Sequence, residues 1–198
     1  MASSAASAVK HKLHYFHLRS RGEIVRLVFA YGRVPLEEVT VPMGRAYMAL
    51  KPTYPFQQLP MIEIDGKSYA QSIAIARYMA KQVGLYPMSD HLAALEVDMA
   101  EKMTAKLNKY ILPAYLGGLQ KRVPATKPFL LGEQISLADL AIFNIVENLL
   151  VAEKQDFPID LEGKFPKLLE VVENVKQTPP IAEYLTDEKN HRPVRPAW

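Results

Sequence analysis

The stretch that most constrains the fold is residues 56–81, in which the pair Asp65-Gly66 separates two short runs before a helical pattern begins. Ile62 and Ile64 alternate with acidic residues, which is the period of a half-buried strand. An Asp-Gly pair favours a tight hairpin turn, so the run over residues 67–70 is expected to return antiparallel. The segment therefore predicts a β-hairpin followed directly by a helix.

The start of that helix suits an anion. Ser72 is its predicted N-cap, the helix is expected to run until Gly84, and its first turn, residues 73–75, carries no acidic side chain. The free N–H groups and the positive end of the helix dipole are then open to an outside anion. Leu59-Pro60 precedes the strand, where a proline leaves backbone groups of its neighbours open to a ligand.

The residues before this segment predict a strand, a helix and a second strand. Apolar side chains alternate at the start and then recur at helical spacing until Gly32. The order βαβ, a connection and then ββα fits one four-stranded mixed sheet with a right-handed crossover. The predicted segments are a strand over residues 12–17, a basic turn over 19–22, a helix over 23–31, a strand over 35–41 and an irregular or short-helical connection over 42–55.

Everything after the linker that follows Gly84 predicts helices. Ser136 and Asp139 have the spacing of a capping box, and the helix that they start, through Leu150, is apolar on almost every side. We expect it to be the buried centre of the second half. The predicted organisation is a flexible extension over residues 1–10, a first domain over 11–84, a linker over 85–91 and an all-helical domain over 92–198, with helices over 90–107, 108–123 (interrupted or bent near Pro113 and Gly117-Gly118), 136–150, 165–177 and 181–185 and a tail over 192–198.

Composition excludes several classes of function. The chain has 198 residues and no cysteine, which excludes disulfides, thiolate metal sites and a thiol-based redox protein. The net charge is +3, and no run of Lys or Arg is longer than two, so no nucleic-acid partner is expected. No apolar run has membrane-spanning length, and residues 1–10 lack the features of a signal peptide. We therefore expect a cytoplasmic protein with no membrane partner.

No metal site is expected either. The five histidines are scattered, and none has a partner at metal-ligand spacing. Asp98 and Glu101 lie three residues apart on one amphipathic helix. That spacing would suit a pair of metal-binding or acid–base carboxylates, but it is more typical of a solvated helix face.

Four segments together carry a family resemblance: KLHYF, RSRGEIVRLVFAYG, ALKPTYPFQQLPMIEIDGKSYAQSIAIARYMAK and FLLGEQISLADLAIFNIVENLL. They closely resemble the sigma class of glutathione S-transferases, and the likeness covers nearly all of residues 11–190. The resemblance implies a thioredoxin-like domain over residues 11–84 that binds glutathione as co-substrate. It also implies an all-α domain over 92–198 that lines the electrophile site, and a homodimer.

The resemblance implies two catalytic residues. Tyr15 corresponds to the tyrosine whose hydroxyl bonds the glutathione sulfur and favours thiolate over thiol, which matters because a free thiol, with a pKa of about 8.5, is mostly protonated at neutral pH. Arg21 corresponds to the arginine beside it, which stabilises the thiolate or the tyrosinate. The alternatives are a strand tyrosine packed in the core and a solvated turn arginine like Arg19.

The resemblance also implies the residues that bind glutathione. Helix-start residues hold the γ-glutamyl carboxylate, a backbone edge pairs with the cysteinyl unit, and a basic and an aromatic residue meet the glycine carboxylate. Tyr47 stands where the class usually has a tryptophan. The structural alternatives are a simple N-cap and a surface lysine. The residues are Gln71 and Ser72 for the first contact, Leu59 with Pro60 and the flanking Gln57 and Gln58 for the second, and Lys51 and Tyr47 for the third.

Two departures from the class bear on function. The segment between Gly84 and Phe129 is shorter than usual. The acidic residue that sigma-class enzymes lend across the dimer falls near Lys106, where a lysine would repel the glutathione ammonium.

The leading interpretation is a glutathione transferase that conjugates glutathione to small hydrophobic electrophiles in detoxification. One alternative is a glutathione-dependent prostaglandin isomerase, and another is a non-catalytic relative with a structural or interaction role, as in the related lens crystallins. Retention of Tyr15, Arg21, Gln71 and Ser72 favours the enzyme, whereas the shortened helical domain and Lys106 favour the non-catalytic protein.

Overall fold

The computed structural model of the chain describes residues 9–104, 112–147 and 159–194. A sheet half comes first and a helical half follows. The elements of the first half are β1 (His11–Tyr15), α1 (Ser20–Tyr31), β2 (Glu37–Thr40), α2 (Arg45–Leu50), two 3₁₀ turns (Lys51–Thr53 and Pro55–Gln57), β3 (Met61–Ile64), β4 (Lys67–Ala70) and α3 (Ser72–Gln82). Those of the second half are α4 (His91–Thr104), α5 (Leu112–Arg122), α6 (Leu137–Ile145), α7 (Leu161–Lys164), α8 (Pro166–Gln177), α9 (Pro179–Thr186) and a 3₁₀ turn (Glu188–Asn190).

The four strands form one mixed sheet in the order β2-β1-β3-β4. β1 runs parallel to β2 and antiparallel to β3, and β3 and β4 form the hairpin expected from Asp65-Gly66. Both turn residues have positive φ, 47° and 81°, which a type I′ turn requires at both central positions. The predicted mixed sheet is therefore confirmed, and it places Tyr15 at the end of β1, opposite Thr40 of β2.

The junction between β1 and α1 differs from the prediction. Both strands of the βαβ unit are shorter than predicted, and α1 begins three residues earlier. The Leu18 amide donates to the Phe16 carbonyl at 2.8 Å, which turns the chain sharply out of the strand. The Glu23 amide then donates to the Arg19 carbonyl at 3.1 Å, so the predicted basic turn, residues 19–22, winds into the first turn of the helix.

The start of α3 also differs from the prediction. Ser72 is the first helical residue and not the N-cap, which is Gln71, and no side chain caps the helix. β4 ends at Ala70, so the chain has a single residue in which to turn from strand to helix. Gln71 makes that turn with a left-handed φ of 77°. The first turn nevertheless carries no acidic residue, as the sequence analysis requires for an anion-binding helix start.

α6 is the buried centre of the helical half, as predicted. All of its residues except Asn144 are buried. The capping box is present: the Ser136 amide and hydroxyl donate to Asp139 Oδ2 at 2.8 and 2.6 Å, and the Leu130 amide donates to Oδ1 at 2.8 Å. Burial raises the pKa of Asp139, and these hydrogen bonds act to lower it. The predicted end of this helix at Leu150 lies outside the described residues.

α5 runs as one helix through Pro113 and Gly117-Gly118, near which it was predicted to be interrupted or bent. Leu116 and Leu119 beside the glycines are buried, and their packing holds the helical backbone that glycine alone would weaken. Residues 108–111 of the predicted helix lie outside the described part of the chain. The two outer helices are confirmed as α8 and α9.

Glu101 corrects the prediction of a solvated helix face on α4. Its side chain is fully buried, and it forms an ion pair with Arg77 of α3, which also contacts Asp98 at 3.1 Å. Burial raises the pKa of Glu101 to about 7, and the arginine acts against that rise. The exposed side of α4 instead carries Leu92 and Leu95. The predicted solvated face is therefore wrong for Glu101, which packs inward beside Arg77 of α3, whereas the Asp98 side chain stays 44% exposed.

Candidate functional site

A cleft of about 430 Å³ opens between the end of β1, α2 and the 3₁₀ turns that precede β3; we call it the Tyr15 cleft. It brings together seven of the ten residues proposed from the sequence, namely Tyr15, Arg21, Tyr47, Lys51, Gln57, Gln58 and Leu59. The remaining lining residues are Phe16, Leu18, Ser20, Met43 and Val194. Its volume is in the range of small-molecule binding sites.

The other three proposed residues border the cleft and do not line it. Gln71 reaches it through its side chain, since Gln71 Nε2 donates to Gln58 Oε1 at 3.4 Å. This contact brings the N-terminus of α3, and with it Ser72, to the edge of the cleft. Pro60 is buried behind Leu59, and the bond between these two residues is cis.

Tyr15 lies on the cleft wall with its ring packed beneath α1. The side chain is buried, and its ring centroid lies 5.4 Å from that of Phe16. A Cβ on residue 22 would come within 2.3 Å of Tyr15 Cδ1, so only glycine permits this approach of the helix. Gly22 therefore brings Arg21, its neighbour in the first turn of α1, to the same wall as Tyr15.

A buried arginine on α1, Arg26, packs against the ring of Tyr15. The guanidinium carbon of Arg26 lies 5.7 Å from the centroid of the Tyr15 ring, and Nη1 donates to the Leu18 carbonyl at 2.8 Å. Nε donates to Glu38 at 2.9 Å and Nη1 to Glu23 at 3.2 Å. Burial acts to lower the pKa of Arg26, but the two carboxylates outweigh it and raise the pKa above its usual value. The guanidinium therefore stays charged at every working pH.

The role of Arg26 was not predicted from the sequence. A signal was present, because Glu23 and Arg26 are an acid and a base three residues apart within an otherwise apolar helix. Buried charges are paired in folded proteins, so such a pair on a core-facing helix indicates an internal ion pair.

The far end of the cleft is aromatic and basic. The Phe16 and Tyr47 rings meet edge to face at 5.0 Å, and Tyr47 stacks on Tyr54 at 6.5 Å. The Tyr47 hydroxyl donates to the Gln57 carbonyl at 3.4 Å. Burial raises the pKa of Tyr54. Lys51 begins the 3₁₀ turn that follows α2 and supplies a cation at this end.

The lining as a whole favours an anionic ligand. Arg21 and Lys51 are its two cations, and none of the described residues that line it is acidic. The uncapped start of α3 adds free backbone N–H groups at the edge near Gln71. An extended molecule with a carboxylate near each end fits this arrangement of charge. Tyr15 supplies a phenol hydroxyl on the cleft wall.

The chain's C-terminal tail contributes one wall, which the sequence analysis did not foresee. Val194 lines the cleft, and the preceding Pro193 accepts a hydrogen bond from the Arg19 amide at 2.9 Å. Residues 195–198 of the predicted tail lie outside the described part of the chain, as does Lys106.

Two classes of site find no support in the described ranges. Within residues 9–104, 112–147 and 159–194, no cluster of His, Asp and Glu has an arrangement that could hold a metal ion. None of the described helices has the length and apolar character needed to cross a membrane.

Comparisons with known families match both halves of the chain. Residues 11–81 match the profile described as "Glutathione S-transferase, N-terminal domain", and residues 87–188 match "Glutathione S-transferase, C-terminal domain".

Individual proteins give the same picture. A glutathione S-transferase of Anopheles gambiae is 30% identical over 88% of this chain and 95% of its own length. The hematopoietic prostaglandin D synthase of Gallus gallus is 31% identical over 88% of this chain and 94% of its own. The structure of rat hPGDS complexed with a quinoline has a TM-score of 0.79 at 27% identity and covers 94% of this chain and 100% of that chain. The expected thioredoxin-like half followed by a helical half is confirmed.

Proposed function

Because the chain belongs to the glutathione S-transferase family, we propose that it activates the thiol of glutathione and conjugates it to small hydrophobic electrophiles. The observation that carries this proposal is the Tyr15 cleft, whose described lining residues include a tyrosine and two cations and no acidic side chain. Glutathione, with a carboxylate at each end and a thiol between them, has the charge pattern that this cleft complements.

Tyr15 and Arg21 activate the thiol. The Tyr15 hydroxyl donates a hydrogen bond to the glutathione sulfur, and the Arg21 guanidinium adds a positive charge beside it. Both interactions favour the thiolate and so lower the thiol pKa from its free value of about 8.5. The thiol proton goes to solvent when the thiolate forms. The sulfur then attacks the electrophilic carbon, a C–S bond forms, and the electron pair of the broken bond departs with the leaving group.

The remaining cleft residues hold glutathione in place. The γ-glutamyl carboxylate lies at the start of α3 against Gln71 and Ser72, where free N–H groups and the helix dipole favour negative charge. The backbone of Leu59, which Pro60 leaves free of a ladder partner, pairs with the cysteinyl unit. At the far end, Lys51 meets the glycine carboxylate together with Tyr47, and Gln58 lies between the two ends. Holding both reactants together supplies a further part of the rate gain.

The proposal also covers the class within the family, the oligomeric state and the cellular location. We assign the chain to the sigma class on its sequence motifs, with a glutathione-binding domain over residues 11–84 and a helical domain over 92–198. A homodimer is supported by the exposed apolar side chains of the β4 and α4 surfaces, such as Tyr69, Leu92 and Leu95. We place the protein in the cytoplasm, with a role in detoxification.

One second function is favoured by a specific observation. A hematopoietic prostaglandin D synthase is among the similar proteins, and a structure bearing that abbreviated name matches over nearly the whole chain. A glutathione-dependent prostaglandin isomerase would use the same activated thiol, with a different electrophile pocket. The two functions are separated by assaying glutathione conjugation and prostaglandin isomerisation on one preparation.

The proposed function is tested by calorimetric titration with glutathione, paired with a pH titration of thiolate absorbance in the complex. S-methylglutathione, which lacks the thiol, is the control for the absorbance signal. We expect binding with the thiol pKa below its solution value. Binding without a pKa shift would contradict thiol activation, and absence of binding would favour the non-catalytic alternative.

A further inference from the structure

The loop that joins β1 to α1, residues 16–19, connects the two proposed catalytic residues, Tyr15 and Arg21. We call it the β1–α1 loop. Arg26 holds it from within, since its guanidinium donates to the Phe16 carbonyl at 3.4 Å and to the Leu18 carbonyl at 2.8 Å. These contacts fix the loop on the side that faces α1.

The other side of the loop is held by the end of the chain. The Arg19 amide donates to the Pro193 carbonyl at 2.9 Å, although the two residues lie at opposite ends of the sequence. The residue before Pro193 is Arg192, whose side chain is only 7% exposed. Its Nη1 donates to the Tyr184 hydroxyl and to the Asn190 carbonyl, each at 3.4 Å. Residues 192 and 193 are therefore tied by hydrogen bonds to the β1–α1 loop, α9 and the 3₁₀ turn that follows it.

The carboxylate of Glu38 links Arg26 to Arg192. Glu38 accepts from Arg26 Nε through Oε2 and from Arg192 Nη2 through Oε1. Glu23 completes the group, because it pairs with Arg26 and accepts from the Tyr184 hydroxyl at 3.0 Å. Two arginines therefore face two glutamates. Removing Arg192 leaves Glu38 with Arg26 alone and leaves the carboxylates in excess, in a region where unbalanced charge is costly.

We propose that Arg192 is a positioning residue for thiol activation: its ion pair with Glu38 holds Pro193 against Arg19 and thereby fixes the loop between Tyr15 and Arg21. This inference rests on the proposed function, because it assigns Arg192 a role in the same reaction. Arg192 itself does not line the cleft. Val194, two residues further on, does, so release of the segment also shifts one cleft wall.

The test compares Arg192→Gln and Arg192→Lys with a matched control, Arg33→Gln. Arg33, two residues after the end of α1, forms a two-point ion pair with Glu183 of α9, so it also links the sheet half to the last helices. Among the described residues, the hydrogen bonds and ion pair of its side chain are with Glu183 and not with the β1–α1 loop. A loss of stability common to any such link would therefore appear in both arginine-to-glutamine variants.

We expect Arg192→Gln to raise the thiol pKa of bound glutathione by about one unit. At pH values below that pKa, the fraction of bound glutathione present as thiolate then falls about tenfold, and kcat should fall by the same factor. The Kd for glutathione should change by less than about threefold, since the proposed anchoring residues stay in place. Arg192→Lys, which keeps the charge, should recover part of the loss. Arg33→Gln should retain the wild-type pKa and kcat.

Amide hydrogen exchange of the peptide that contains residue 19 supplies a readout independent of glutathione. We expect faster exchange in Arg192→Gln and wild-type exchange in Arg33→Gln. Unchanged exchange in Arg192→Gln, or an equal loss of kcat in both variants, would overturn the inference. If the wild type fails to bind glutathione, the proposed function and the positioning role of Arg192 in it fall together. Faster exchange would then still support the anchoring of the loop by the tail.

Discussion

Gly22 lies so close to the ring of Tyr15 that no side chain can replace its hydrogen without movement. A Cβ at residue 22 would come within 2.3 Å of Cδ1 and 2.8 Å of Cε1. The ring is buried, and it also lies near Arg26, which is on α1 like Gly22. The position of the proposed catalytic tyrosine is therefore set in part by the absence of a side chain on α1.

Gly22→Ala is expected to displace the Tyr15 ring, to destabilise the fold by about 2 kcal/mol through overpacking, and to lower kcat. Gly118→Ala is the matched control, because a Cβ there meets nothing within 4 Å and residue 118 lies inside α5. That control should gain about 0.5–1 kcal/mol of helix stability and keep full activity. Urea unfolding and steady-state kinetics measure both effects. A fully active and stable Gly22→Ala would show that the ring can move without consequence.

Tyr15→Phe is expected to keep glutathione binding and to lower conjugation at least about tenfold, which corresponds to about 1.4 kcal/mol of transition-state stabilisation. The reason is that the hydroxyl acts on the thiol and not on overall affinity. Tyr54→Phe is the control, since the Tyr54 ring stacks on Tyr47 near the cleft but is not among the residues that line it. Calorimetry and initial rates separate binding from turnover, and a wild-type rate in Tyr15→Phe would remove Tyr15 from the mechanism.

Local signals in the sequence predicted a large part of the fold. The hairpin at Asp65-Gly66 and the capping box at Ser136 and Asp139 are both specified by residues within a few positions of each other. The ion pairs were missed because they join residues that are distant in the sequence. Glu101 looked solvated because Arg77, which pairs with it, belongs to another helix. The Arg192 anchor is equally invisible to a local pattern, since Glu38 lies 154 residues away.

For the candidate site, too, one part was predicted from the sequence and another was missed. The family resemblance named Tyr15, Arg21 and Lys51, and the structure brings them to one cleft. The backbone state of Gln71 was missed because the signal for an N-cap favours serine over glutamine. Only the geometry of the turn after β4 decides which residue takes the left-handed conformation.

The Asp139 carboxylate ties the start of α6 to the preceding loop as well as to its own cap. It accepts from the Leu130 amide in addition to Ser136, and it is fully buried. Asp139→Ala should therefore destabilise the fold by about 3 kcal/mol, more than the loss of a simple cap, because buried N–H groups are left without partners. Asp160→Ala is the control, since Asp160 caps α7 through one exposed hydrogen bond to the Gly163 amide and should cost about 1 kcal/mol. Equal losses in urea unfolding would contradict this difference.

Glu101 should make the stability of the protein depend on pH in a direction opposite to that of a typical paired carboxylate. Burial raises its pKa in the folded state from 4.5 to about 7, and Arg77 acts against this rise. Between these two values the unfolded chain releases the proton first, so the folded state binds more protons. The free energy of unfolding therefore falls as pH rises through this window, by at most about 1.4 kcal/mol per pH unit. Glu101→Gln should flatten that slope, whereas Glu96→Gln, on an exposed part of the same helix, should leave it unchanged. Urea unfolding at several pH values between 4.5 and 8 measures the slopes, and an unchanged slope in Glu101→Gln would mean that Arg77 keeps the carboxylate ionised throughout.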